Sequence, residues 1–331
     1  MKKLINDPAD LVREYAEGLA LAYPDLVAVH ADPLFMTRAH APTEPQVAVI
    51  SGGGAGHEPL HAGFVGPGLL DAAISGPVFT SPPPQPIYEA ARAVEQGRGV
   101  LLIVKNYTGD VMNFETAAEL LEMDGIEVRM VVVNDDVAVQ DSTYTAGRRG
   151  VAGTLVVEKV AGAAAAAGAD LTEVARLAQR TADRVHTMGV ALRAGVHPGL
   201  GGPSFDLPDS QIEVGIGIHG EPGRRRERME PADAVVDMIL APVLAETTGP
   251  EVLLLVNGMG GTAEAELYIC LRRAYAQVEA AGLRVIDTLV GNYVTSLDMQ
   301  GVSLTLASLD EELQPLWSAP CRSAALTRAG Q

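Results

Sequence analysis

Three short stretches combine residue types and spacings suited to small-molecule chemistry. The first, Ser51-Gly52-Gly53-Gly54-Ala55-Gly56-His57, follows an apolar run at 47–50. Its glycines let a backbone approach a ligand closely, and their N–H groups can bind ligand oxygens. His57 closes the stretch where a helix is expected to begin. The positive end of a helix dipole favours neutral imidazole, which can act as a general base. The ordinary alternatives are a tight strand-to-helix turn and a capping histidine. The second stretch, Lys105-Asn106-Tyr107-Thr108-Gly109-Asp110, follows another expected strand, at the carboxyl edge where parallel sheets bind ligands. Lys105 can donate to a ligand oxygen and keep Asp110 ionised, and Asp110 can take a proton from a hydroxyl. Its ordinary role there is a helix N-cap, and that reading comes first. In the third, Gly215-Ile216-Gly217-Ile218-His219-Gly220-Glu221-Pro222-Gly223, small neighbours expose His219 to a ligand. A turn histidine is the plain alternative.

Known nucleotide cradles do not fit. Counting from Gly52, the sixth position of a G-x-G-x-x-G pattern is His57, and no lysine follows a glycine anywhere in the chain. The arginines at 224, 225, 226 and 228 read as a solvated loop or a docking surface. Asn134-Asp135-Asp136 can bind a cation, but strand-end turns commonly have this composition. His186 and His197 show no obvious partner, and Met112 and Met123 read as core residues. Together, the strand-end polar sites point to a buried small-ligand site.

The elements that must position these residues alternate. Buried strands are expected at 47–50, 100–104 and 128–133, with helices over 110–122 and 150–167. Glycine and proline crowd into 194–210, which reads as a loop or domain junction. Beyond it, strands are expected at 213–218, 252–256, 285–289 and 302–307, with a helix over 262–281. The fold class is α/β: two α/β domains, residues 1–185 and 186–331, each a mixed or largely parallel sheet flanked by helices. The length, 331 residues, fits two domains at roughly 100–200 residues each.

Hydrophobic residues make up 47% and charged residues 20% of the chain, as in globular proteins generally. A net charge of −18 and a pI of 4.7 exclude a general nucleic-acid role and an anionic membrane surface. Two cysteines, Cys270 and Cys321, are too few for a zinc site or a disulfide framework. The basic start ends its apolar run at Asn6, and no stretch approaches ~18 consecutive apolar residues. A cytoplasmic, soluble protein with no metal site is the expectation.

The motifs SGGGAGHEPLHAGFVGPGLLDAAISGPVFTSP, KNYTGDVMNFETAAELL, YTAGRRGVAGT, GIGIHGEPG and YVTSLDMQGVSLTL occur in this order. Together they resemble the K subunit of bacterial dihydroxyacetone kinases, in the form that works with the phosphotransferase system. The resemblance runs from Met1 to about Thr327. It implies that His219 attacks the ketone carbon of dihydroxyacetone to give a hemiaminal. It also implies ligand contacts from Gly53, Gly54, Ala55, Gly56, Lys105 and Asp110, with His57 and Asp110 as acid/base groups. The phosphate donor has no evident home in this chain. The resemblance therefore implies ADP/ATP with Mg on a nucleotide-binding L-type subunit, reloaded by a phosphotransferase M-type subunit, and a homodimer of this chain. The alternatives are a non-catalytic ketose sensor or coactivator, and a kinase subunit for erythrulose or another short ketose. A dinucleotide oxidoreductase is disfavoured by the failed fingerprint. Two departures, His197 within 193–202 and a shorter segment over 224–250, bear on substrate size and partner docking.

Overall fold

β-Branched and leucine-rich runs set the strands. The computed structural model describes residues 2–140 and 145–330; Tyr144, which opens the YTAGRRGVAGT motif, lies outside them. The first sheet contains β1 (Val27–Ala31), β2 (Leu34–Arg38), β3 (Ala48–Ala55), β4 (Ala72–Val78), β5 (Val100–Lys105) and β6 (Val128–Val133), in the order β1-β2-β4-β3-β5-β6. β4, β3, β5 and β6 run parallel, while β1 and β2 form an antiparallel margin. The second sheet contains β7 (Val185–Arg193), β8 (Gln211–Val214), β9 (Arg225–Arg228), β10 (Glu251–Gly258), β11 (Arg284–Gly291) and β12 (Gln300–Ser308), in the order β11-β10-β12-β7-β8-β9. This sheet is mixed: β10 and β11 are parallel and its other pairs antiparallel.

The helices are α1 (Leu11–Ala22), α2 (Pro84–Val94), α3 (Thr108–Met123), α4 (Thr154–Ala166), α5 (Leu171–Ala182), α6 (Ala232–Glu246), α7 (Glu264–Ala280) and α8 (Leu313–Ser318). α2 and α3 cover one face of the first sheet through Ile87, Phe114 and Leu121. A larger core joins Val49, Leu101 and Ile103 to Leu155 and Val156 of α4, Val174 of α5, and Leu253, Leu255 and Ala307 of the second sheet. α6 and α7 close the other face of that sheet. The boundary expected between residues 185 and 186 falls at the start of β7. Among the described residues, no helix is long and apolar enough to cross a membrane.

Several local expectations are corrected. β3 does not stop at residue 50 but runs through Ser51, Gly52, Gly53 and Gly54 to Ala55, because parallel β4 pairs with it to Ala55 and parallel β5 to Gly52. No helix begins at His57; turns follow it instead. β8 ends at Val214 because Gly215 has φ +82°, a turn conformation that breaks the strand. The arginine run is not a loop: Arg225–Arg228 forms edge strand β9. Met112 and Met123 are 61% and 83% exposed, because α3 buries the stripe Asp110, Phe114, Ala117 and Leu121.

Candidate functional site

β3, the N-terminal turn of α3 and the segment after β8 converge on one cleft of about 640 Å³, lined among others by Gly54, Phe79, Tyr107, Asp110, His197 and His219. His57, fully buried, packs against the lining residues Phe79 and His219. The His57 and His219 rings stand edge to face with centroids 4.7 Å apart, and Phe79 contacts both at 5.3 Å. Tyr107 packs against His219 at 4.5 Å. Two histidines 162 positions apart in sequence thus meet at the cleft.

His57 is fully buried. Its Nδ1–H donates to the carbonyl of Thr295 at 2.8 Å, which leaves Nε2 unprotonated and without a partner among the described residues. Burial holds its pKa well below the ordinary histidine value, reinforced by His219 and Lys105. The neutrality expected of a helix terminus is thus present, but desolvation causes it. The Thr295 segment also reaches back to this turn. Thr295 N–H donates to the His57 carbonyl, and Leu297 N–H to that of Gly56.

His219 is governed by Glu221, two residues on. The Glu221 carboxylate accepts from His219 Nδ1–H at 2.9 Å and from the His219 backbone N–H at 3.0 Å. Burial would raise the Glu221 pKa, but His219 and Arg149 outweigh it and hold the carboxyl at about 2. An ionised acceptor on Nδ1 keeps the lone pair of His219 on Nε2. Gly217 makes room for this: a Cβ there would meet Glu221 Oε2 at 2.0 Å. Arg149 is buried beneath, its Nε donating to Asp136 at 2.7 Å and its Nη2 to the Gly215 carbonyl at 2.8 Å.

Asp110 is not the N-cap of α3. Tyr107 occupies that position, and Asp110 sits in the first turn with Oδ1 buried and unpartnered among the described residues. Lys105 lies behind the glycines of β3. A Cβ on Gly53 would sit 2.5 Å from Lys105 Nζ and 3.6 Å from Asp110 Oδ2, so glycine there admits both groups. Gly54 lines the cleft, with Gly53 and Ala55 beside it in β3 and Gly56 directly after the strand. Buried polar atoms ordinarily find partners. Here His57 Nε2, Asp110 Oδ1 and Tyr107 Oη have none among the described residues, as expected of a pocket built for a polar ligand.

Other candidates separate from the cleft or join it. Asp135 accepts from Val151 and Gly153 N–H groups at 2.7 Å each, and Asp136 holds Arg149, so this acidic turn shapes the backbone. Arg224 donates to the Val137 carbonyl at 2.8 Å, and Arg226 pairs with Glu213 at 3.0 Å. His197 joins the cleft, with its ring 5.7 Å from Phe79. Sequence reasoning missed Glu221, Arg149, Phe79, Tyr107 and Thr295. Glu221 carried a readable signal, an acid two residues from the histidine; Thr295 acts through a backbone carbonyl and carried none.

Comparison with known proteins agrees with the resemblance. The Dak1 domain matches residues 17–325. The chain is 45% identical to the dihydroxyacetone-binding subunit DhaK of the PEP-dependent dihydroxyacetone kinase of Escherichia coli K12, covering 98% of this chain and 99% of that one. It is 48% identical to the DhaK subunit of PTS-dependent dihydroxyacetone kinase 1 of Listeria innocua, covering 94% and 95%. Among solved structures, the dihydroxyacetone kinase operon co-activator Dha-DhaQ superposes with a TM-score of 0.90 at 35% identity, covering 98% and 99%. With this extent of match along nearly its whole length, the chain belongs to the Dak1 domain family, together with the DhaK dihydroxyacetone-binding subunits.

Proposed function

We propose that the chain binds dihydroxyacetone as a hemiaminal on His219 and presents a terminal hydroxyl for phosphorylation by a separate nucleotide-bearing subunit. The observation that carries this reading is the Glu221–His219 pair, which leaves a nucleophilic Nε2 in a cleft beside neutral His57. In the addition step, the Nε2 lone pair forms the C–N bond. The carbonyl π pair moves to oxygen, which takes up one proton. Nδ1 keeps its proton, so the positive charge gained by the ring faces the Glu221 carboxylate. An alcohol carbon offers no such reaction, so the site selects carbonyl compounds over glycerol.

The adduct then holds one hydroxyl near Asp110 and His57; Asp110 accepts its single proton as the oxygen attacks phosphorus, and His57 Nε2 stands beside it as the second acid/base group. Phosphoryl transfer relies on positioning and charge stabilisation, and rigid covalent attachment supplies the first. The nucleotide, ADP/ATP with Mg, resides on the L-type partner and is recharged by an M-type phosphotransferase protein. The likeness to the co-activator Dha-DhaQ favours a second reading, a ketose sensor. The buried, unpartnered Asp110 and His57 atoms support the catalytic one, since a sensor has no use for an acid/base pair. The discriminating assay mixes the chain with dihydroxyacetone, ATP, the nucleotide-bearing subunit and the phosphorylated M-type protein that recharges it. Product is expected with all the proteins together and negligible turnover with the chain alone. Product from the chain alone contradicts the division of labour, and ketone binding without product in the mixture favours the sensor.

A further inference from the structure

Behind Gly53, a row of ionisable side chains leads away from the cleft into the core. Lys105 Nζ lies 2.6 Å from His61 Nε2, and His61 Nδ1 lies 2.5 Å from Glu158 Oε1. Lys105 and Glu158 are fully buried and His61 is 3% exposed. Glu158 sits in the middle of α4, where every residue from Thr154 to Ala165 is buried. A carboxyl here is costly unless it has a task, because burial of polar groups is penalised. The groups facing it are Ser51 from β3, Lys105 from the end of β5 and His61. α5 and α8 present apolar Val174, Leu177, Leu313 and Trp317 to the same core.

We propose that Glu158, His61 and Lys105 form a buried proton relay that supplies the proton taken up by the sugar oxygen when His219 adds to the ketone. The relay rests on the hemiaminal reading above and extends it. At rest, the Glu158 carboxyl donates to His61 Nδ1, and His61 Nε2–H donates to the Lys105 amine. As charge develops on the sugar oxygen, Lys105 gives that oxygen a proton and takes the Nε2 proton, while Nδ1 takes the proton from Glu158. One O–H bond breaks at Glu158 and one forms on the sugar. Lys105 and His61 end with the proton numbers they began with. Ser51 favours the final arrangement: its own hydrogen is given to the Ile103 carbonyl at 2.8 Å, so its oxygen, 2.9 Å from His61 Nδ1, accepts the new Nδ1–H. His61 and Glu158 are positioning and proton-supplying groups; none of the three relay residues lines the cleft, and Lys105 approaches it beside Gly53, where a Cβ would lie 2.5 Å from Nζ and 3.6 Å from Oδ2 of the cleft residue Asp110.

Burial moves each group in the direction the relay requires, and the neutral Lys105 amine is part of the proposal. Burial, against the pull of Ser51 and Lys105, raises the Glu158 pKa to about 8, so it holds a proton at neutral pH. Burial lowers Lys105 and holds His61 well below the ordinary histidine value. The test is calorimetric affinity for dihydroxyacetone against pH, in wild type and Glu158→Gln. Wild type is expected to hold a plateau that breaks near pH 8 and then weakens as pH rises. Glu158→Gln is expected to bind at least about 10-fold more weakly at pH 7 and to lack that break. Unchanged affinity at pH 7, or the same break in the variant, overturns the relay; a purely structural role weakens binding equally at every pH. A second measurement needs no variant. In wild-type protein carrying ¹⁵N-histidine, the His61 proton is expected on Nε2 without ketone and on Nδ1 at saturation. A proton that stays on one nitrogen, or a His61 imidazolium at pH 7, overturns the relay. Absence of any ketone binding by wild type instead defeats the hemiaminal reading.

Discussion

Nucleophilicity at His219 depends on which ring nitrogen carries the proton, and the structure delegates that choice to Glu221. Replacing Glu221 by Gln removes the charged acceptor and lets the ring adopt either tautomer. Hydrogen bonds to charged groups contribute about 1.5–3 kcal/mol, so Glu221→Gln is expected to weaken dihydroxyacetone binding by roughly 10- to 150-fold. Calorimetry checks this, and near wild-type affinity removes Glu221 from the account. His57 is set by the same device with a different acceptor, the Thr295 carbonyl. His57, Lys105, Asp110 and His219 stood out in the sequence as candidates because each stands at a strand end or among glycines. Their settings were not legible. The Thr295 carbonyl lies 238 residues from His57, and a backbone acceptor leaves no mark on side-chain pattern. Glu158 was visible as an acid within an alanine-rich helix, but its burial on every side was not.

Element-scale expectations succeeded where apolar runs were long and failed where glycine decides the backbone. The strands at 100–104 and 128–133 lie within β5 and β6, and the helix expected over 262–281 is α7. Glycines at 52–54 read as a loop because their intrinsic strand preference is low. Parallel pairing overrides that preference, on both sides at Gly52 and with β4 at Gly53 and Gly54. The expected strand over 213–218 failed in the opposite direction: alternation continues through Ile216 and Ile218, which are buried, but Gly215 turns the chain. α4 packs on β3 and β5 and lies within the core that continues into the second sheet. Leu155, fully buried on α4, is therefore a sensitive point. Leu155→Ala is expected to destabilise the protein by about 2–5 kcal/mol, read from denaturant unfolding. A loss below about 1 kcal/mol contradicts the central place given to this helix.

For the whole molecule, buried neutral histidines couple folding to pH. His57 and His61 are held well below the ordinary value in the folded chain, whereas an unfolded histidine titrates near about 6.5. Between those values the unfolded state binds more protons, so their contribution to stability is intact above about pH 6.5 and is lost as pH falls. Glu158, raised to about 8, acts in the opposite sense over the range from its unfolded value to 8. The contrast is therefore made between proteins: wild type is expected to lose more stability from pH 7 to pH 5 than His57→Asn, read from thermal unfolding. Equal slopes contradict a neutral buried His57. The cleft itself draws on both sheets: β3 and α3 bring the glycine wall and Asp110, and the segment after β8 brings His219. Whether they meet to make a covalent bond is measured most directly by ¹³C NMR of the chain with dihydroxyacetone labelled at its carbonyl carbon. The bound carbon is expected to leave the carbonyl region for that of a carbon bearing nitrogen and oxygen, and His219→Ala is expected to abolish that signal. A saturated complex in which the labelled carbon remains a ketone contradicts the account.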